Sequence, residues 1–191
     1  YHDSIGSTND RARELAAAGE SNVAVLADEQ IGARGRLDRE FSSPSGGIWI
    51  SFVCRPDLPP AQAPIYTLAA AVATTEVLHD VGVDAGIKWP NDVLVDGEKL
   101  VGILTEMEGE ADRVSWIVVG IGINANVDAD AVPDTATTIR EFIGDVDRAA
   151  LTRPLIERFE ELRNAPDAVL STWRDTSTPL GQRAPVATPG G

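Results

Sequence analysis

Cysteine occurs once in this chain, at Cys54, so no internal disulfide and no cysteine-based zinc motif can form, as a reducing cytoplasm leads one to expect. The only histidines, His2 and His79, lie far apart in sequence and argue against a histidine-rich metal centre. No apolar run approaches the ~20 residues that a spanning helix needs, and no signal-peptide pattern is visible. Positive charge is also scarce: 16 basic residues face 30 acidic ones, and the net charge of −14 repels polyanions and opposes general nucleic-acid binding. Lysine is the rarest cation, appearing only as Lys88 and Lys99, inside the run KWPNDVLVDGEKLVGILTE that spans residues 88–106. The other cations are all arginine. A surface rich in acid and poor in lysine reads as salt-adapted, and each lysine then stands where a compact ammonium has a task of its own.

What is present fits one compact domain, because 191 residues with 43% apolar content suffice for a sizeable core. A chain that opens on Tyr1 also reads as a piece of a longer protein. Residues 8–18 predict a helix, with Ser7, Thr8 or Asn9 as its cap and Gly19 as its stop. A strand follows at 22–27, then a Gly-, Ser- and Arg-rich loop from Asp28 to Gly47, then a strand at 48–53. The alanine-rich stretch 64–80 predicts a helix buried against a sheet. Short strands at 87–89 and 93–95 flank Pro90, and proline holds Trp89 extended on the approach to Asn91 and Asp92.

The pair Asp96-Gly97 predicts a tight hairpin that pairs Val95 with Glu98 and Leu94 with Lys99, which places Lys99 and Asp92 on one face. Strands at 100–107 and 114–121, a loop over 122–136, and helices near 138–143 and 147–164 complete the main body. Pro154 predicts a break or a restart, a further short helix ends near Trp173, and the tail reads as a linker with one incipient strand. Successive neighbouring strands after a helix favour an α+β sheet with antiparallel pairs over a doubly wound one.

Arg34, Arg36 and Arg39 cluster in an acidic chain beside Gly32 and Gly35, which suits recognition of carboxylate or phosphate, although a solvated loop has the same composition. Gly120 and Gly122 lack the third glycine of a dinucleotide fingerprint and read as a strand-end turn, with Asn124 and Asn126 nearby as amide donors. Ser7-Thr8-Asn9 is an ordinary helix cap that can also hold a polar ligand group. The lysines have a bland reading too, as solubilising residues on a hairpin edge.

Taken in order, STN at 7–9, RGR at 34–36 with Arg39, KWPND at 88–92, KLVGILTE at 99–106 and VVGIGIN at 118–124 resemble the biotin protein ligases. The resemblance covers residues 1–175 and implies the α+β fold related to class II aminoacyl-tRNA synthetases and lipoyl ligases, a mainly antiparallel sheet packed with helices. It implies activation of biotin by ATP, with Mg2+, to biotinyl-5′-AMP and pyrophosphate. Transfer to a lysine of a biotin carboxyl carrier protein follows.

The same resemblance places Ser7, Thr8, Asn9, Gln30, Arg34, Gly35, Arg36, Lys99 and Gly102 along biotin. It places Arg39, Lys88, Trp89, Asn91 and Asn124 with the nucleotide, and gives the chemistry to Arg36, Lys99 and Asp92. Residues 1–175 would be the catalytic domain, and 176–191 a linker and the start of a C-terminal SH3-like β-barrel. Two residues depart from the family pattern: Ala33 replaces a glycine and Phe41 a tryptophan. The alternatives are a lipoyl or octanoyl ligase on the same fold, or a biotin-responsive repressor whose DNA-binding domain lies outside this chain. The expected setting is cytoplasmic, with no membrane or nucleic-acid contact through this chain and with a homodimer as an option.

Overall fold

The computed structural model describes residues 1–35, 37, 39 and 41–177. Arg36, expected to act in the chemistry, and the tail 178–191, expected to hold most of the linker and the barrel start, lie outside the described residues. Among the described residues seven strands form one sheet: β1 (His2–Ile5), β2 (Val23–Gln30), β3 (Ile48–Cys54), β4 (Gly86–Lys88), β5 (Asp92–Val95), β6 (Glu98–Gly109) and β7 (Val114–Ile123). Their order is β1-β2-β3-β7-β6-β5-β4, with β1 parallel to β2 and every other pair antiparallel. Among the described residues five α-helices accompany it: α1 (Thr8–Ala17), α2 (Pro64–Asp80), α3 (Ile139–Ile143), α4 (Arg148–Leu162) and α5 (Pro166–Thr176). The fold is α+β, as the succession of strands implied.

Side-chain alternation sorts the central strands onto two faces. Ile50, Phe52, Ile117 and Val119 face the side of the sheet on which α2, α4 and α5 pack, with Phe52 against Phe159 of α4 at 4.6 Å between ring centroids, and together they build the main core. Val25, Val53, Trp116 and Val118 point the other way, against Ala12 and Ala16 of α1. Burying one such Ile or Phe side chain stabilises by about 1.5–3 kcal/mol. Both faces of β3 are therefore buried, and the thiol of Cys54 is pushed up to about 12 by its dry surroundings. The helix α1 is short. Beyond its N-terminus the same sheet face is left for a site.

Five expectations change. Strand β1 was not foreseen, since four residues with an exposed middle carry too weak an alternation. Gly120 and Gly122 lie inside β7 rather than in a turn at its end. Helix α4 runs through Pro154 without a break. The Trp89-Pro90 peptide is cis, and the chain turns there instead of running extended, so that Lys88 pairs with Asp92 across β4 and β5. Asn126 turns its carboxamide to the chain, accepting from the Val146 N–H and donating to the Val146 carbonyl, each at 2.9 Å, and is not among the residues that line the two cavities described below.

The hairpin at Asp96-Gly97 forms as expected, with φ of 52° and 89° at its two corners and with Val95 opposite Glu98 and Leu94 opposite Lys99. The register then shifts by one residue, placing Val93 opposite Val101 and Asp92 opposite Gly102. Leu100 and Val101 both turn into the core. This bulge lets Lys99 and Gly102, three residues apart, line the same cavity, which a regular strand would forbid.

Candidate functional site

The cavity opens over the sheet face that α1 leaves bare. Its floor is Gly102 of β6 with Gly120 and Gly122 of β7, and its walls include Ser7, Thr8, Asn9, Gln30, Arg34, Gly35, Phe41 and Lys99. The glycines act by having no side chain. A Cβ at Gly120 would stand 2.1 Å from Asn9 Oδ1, and one at Gly102 or Gly122 would stand 2.7 Å from the Phe41 ring. Phe41, in the place of the family's tryptophan, keeps an aromatic wall packed edge-on against Trp49 at 6.0 Å between centroids. Ala33 is buried in the same wall and does not use positive φ, so its methyl group introduces no backbone strain.

The N-terminus of α1 supplies polar groups for a physical reason: the first helical amides have no partner within the helix. Ser7 caps it by accepting from Asp10 N–H at 3.3 Å, and the Thr8 N–H donates to Gln30 Oε1 at 2.7 Å. Gln30 Nε2 donates to Ser43 Oγ at 3.0 Å. Thr8 Oγ1 lies 2.9 Å from Gln30 Oε1 and 2.7 Å from Ser51 Oγ, which lies 2.6 Å from Asn9 Oδ1. Asn9 Nδ2 donates to Glu106 Oε2 at 2.8 Å.

Charge enters at two places. Lys99 Nζ sits 2.7 Å from Asp92 Oδ1 and 5.5 Å above the Phe41 ring. Both partners are about one-third exposed or less, at 33% and 26%, so the pair is reachable by ligand yet only partly screened. Elsewhere on the rim Asp10 joins Arg34 at 2.6 Å and Arg13 at 2.5 Å, and Arg13 joins Glu106 at 3.1 Å. A second cavity, lined by Ser42, Leu100, Asn124, Val132, Pro133 and Thr135, shares Phe41, Lys99 and Gly102 with the first. The Lys99 ammonium therefore stands at the junction of two compartments.

Every described residue expected along the acid ligand lines the first cavity: Ser7, Thr8, Asn9, Gln30, Arg34, Gly35, Lys99 and Gly102. The nucleotide set converges less. Asn124 lines the second compartment, with its Nδ2 donating to the Thr137 carbonyl at 3.0 Å, and Asn91 lines the first, donating to the Ile103 carbonyl at 2.9 Å. Trp89 borders a further groove with Pro60, Pro64, Leu68 and Met107, which shares Asn91, Ile103 and Leu104 with the first cavity. Lys88 and Arg39 are exposed, and neither is among the described residues that line the two compartments. Among the described residues no group of three or more His, Cys, Asp or Glu side chains could hold a metal, and no helix is long and apolar enough to cross a membrane.

Sequence reading missed Ser51, Glu106 and the part that Gly120 and Gly122 play in the floor. Ser51 did leave a signal, as the one hydroxyl in the apolar strand IWISFVC, whereas Glu106 ended a recognised motif and drew no separate notice.

Residues 1–124, which include every residue lining the first cavity, match the biotin/lipoate A/B protein ligase family. The bifunctional ligase/repressor BirA of Bacillus subtilis is 42% identical over 170 residues, covering 84% of this chain and 52% of that protein. The biotin--[acetyl-CoA-carboxylase] ligase of Mycobacterium tuberculosis is 32% identical over 199 residues, covering 97% of this chain and 73% of that protein. A solved structure of the biotin protein ligase from Aquifex aeolicus in complex with biotin and ATP superposes with a TM-score of 0.71 at 27% identity, covering 93% of this chain and 77% of that one. The chain spans about half the length of the Bacillus and Escherichia coli relatives it matches, at 52% and 56%. With its cavity residues inside the matched segment and its sheet superposing on a solved relative, the chain belongs to the biotin/lipoate A/B protein ligase family.

Proposed function

We propose that this chain, with residues 1–175 as its catalytic unit, is the ligase part of a biotin protein ligase. It joins biotin to ATP to give biotinyl-5′-AMP and pyrophosphate, and then hands the biotinyl group to a lysine of a carrier protein. The observation that carries this reading is the position of Lys99, whose ammonium borders both compartments.

In the first step a biotin carboxylate oxygen bonds to the α-phosphorus, and the bond from that phosphorus to the bridging oxygen breaks. Two anions must meet, and like unit charges about 4 Å apart repel by roughly 4 kcal/mol at an effective dielectric near 20. Lys99 offsets that repulsion from the junction, and Arg34 adds charge elsewhere on the rim. Magnesium supplies charge neutralisation on the phosphates when ATP brings it, and no protein cluster is assigned to it. In the second step the carrier amine attacks the acyl carbonyl, AMP leaves, and one proton must depart. Asp92 is the carboxylate in position to accept it, beside Lys99. Asn124 serves the nucleotide compartment, and Thr8, Asn9 and Gln30 serve the biotin head group. Arg36, which lies outside the described residues, is the further cation that this reading expects to act on the intermediate. A cytoplasmic setting and a biotin carboxyl carrier as partner belong to the same proposal.

The test is pyrophosphate release from ATP in the presence of biotin, lipoate or octanoate. Biotin is expected to support turnover and the aliphatic acids far less. Lys99→Ala is expected to lower the biotin-dependent rate by about 10²–10³-fold, the range for losing one preorganised charge donor. Turnover with lipoate equal to that with biotin would move the chain to the lipoyl branch of its family. A wild-type rate in Lys99→Ala would remove the lysine from the chemistry.

A further inference from the structure

Four oxygen atoms run in line beneath the cavity: Asn9 Oδ1, Ser51 Oγ, Thr8 Oγ1 and Gln30 Oε1, spaced 2.6, 2.7 and 2.9 Å apart. The two ends are amide carbonyl oxygens, which only accept, and the two middle atoms are hydroxyls with one hydrogen each. Three contacts therefore share two hydrogens. One contact always lacks a proton.

The neighbours decide which. Asn9 Nδ2 faces the Glu106 carboxylate at 2.8 Å and the Leu104 carbonyl at 3.4 Å, two acceptors, so its Oδ1 must point at Ser51. At 2.6 Å a buried carbonyl needs a donor there, and Ser51, fully buried, has the only hydrogen to give. Ser51 then turns a lone pair to Thr8, and we assign the Thr8 hydrogen to this 2.7 Å contact rather than to the longer one at 2.9 Å. What remains is the longest contact, Thr8 Oγ1 against Gln30 Oε1, and Gln30 Oε1 is already served by the Thr8 N–H at 2.7 Å. The cavity is thus presented with two acceptors 2.9 Å apart and no hydrogen between them.

We infer that Ser51, which is not among the residues that line this cavity, is a positioning residue that withdraws the Thr8 hydrogen into the protein. It makes the Thr8–Gln30 pair an acceptor site selective for a ligand N–H. The inference rests on the ligase reading and deepens it: a cyclic urea brings such an N–H, and an aliphatic acid brings none. Without the Ser51 hydroxyl, Thr8 donates to Gln30 instead, the pair is satisfied internally, and the preference for an N–H fades. Removing Asn9 Oδ1 has the same result by another route, because Ser51 is then free to donate to Thr8.

The test is calorimetric binding, without ATP, of biotin and of the two cyclic carbamate analogues in which one ring N–H is replaced by oxygen. Wild type is expected to bind biotin at least about tenfold more tightly than one of the analogues, the scale of one buried hydrogen bond. In Ser51→Ala and in Asn9→Ala that ratio is expected to fall to about threefold or less, chiefly through weaker biotin binding. Ser51→Thr and Ser51→Val have nearly the same shape, and only the threonine variant is expected to keep the wild-type ratio, which separates the hydroxyl from packing. An unchanged ratio in the alanine or valine variants that melt cooperatively overturns the inference while leaving the ligase reading intact. Failure of wild type to bind biotin at all overturns the ligase reading instead.

Discussion

Gly120 matters through the side chain it does not have. A methyl group there would meet Asn9 Oδ1 at 2.1 Å, and Asn9 cannot yield without releasing Ser51 and Glu106. Gly120→Ala is expected to cost about 1–3 kcal/mol, as overpacking usually does, and to weaken biotin binding at least tenfold. Urea unfolding and calorimetry would read the two effects, and an unperturbed variant would show that Asn9 is not held as described. The residue types around this point were readable in advance, since Thr8, Asn9 and Gln30 carry obvious hydrogen-bonding chemistry. Ser51 was passed over because a serine inside an apolar strand has no local partner. Its partners sit 42 and 43 residues away in sequence, on α1.

At the level of whole elements, the joint between α4 and β2 is electrostatic as well as apolar. Asp28 accepts from Ser45 and from Arg148 at 2.5 Å, and these hydrogen bonds, Ser45 first, hold its carboxyl below the ordinary 3.8. A depressed folded pKa means that the contribution to stability is present above the unfolded value and is lost as pH falls through the folded one. Arg148→Ala is accordingly expected to lose stability near pH 6, with the gap to wild type narrowing below about pH 3.8. Urea midpoints at about pH 6 and pH 3 would check this, and a gap of equal size at both would assign the loss to packing.

The elements themselves were largely legible. The helix expected over 64–80 is α2 with those limits, because a long alanine-rich stretch between prolines and glycine leaves little choice. The bulge in β6 was invisible. It depends on Asp92 finding Gly102 across the sheet, and nothing local to residues 98–102 announces it.

Taken whole, the molecule sets a few cations around a junction inside a body of net charge −14. Like charges spread over one domain repel, and salt shortens their reach to about 10 Å at 0.1 M. The melting temperature is therefore expected to rise between about 0.05 and 1 M NaCl, and a flat or falling trend would show that the acidic surface is already compensated by local pairs.

Composition and motif order were enough to identify an α+β ligase-like chain with two lysines of special use, because helix caps, strand alternation and turn chemistry are written in adjacent residues. Convergence was not. Arg34 and Lys99 reach the cavity while Lys88 and Arg39 do not line it, and Trp89 borders the adjoining groove. The direction of each hydroxyl in the line from Asn9 to Gln30 also had to wait for the folded chain. A proton's position there is set by all its neighbours at once, and those neighbours come from α1, β2, β3 and β6, which meet only when the sheet has formed.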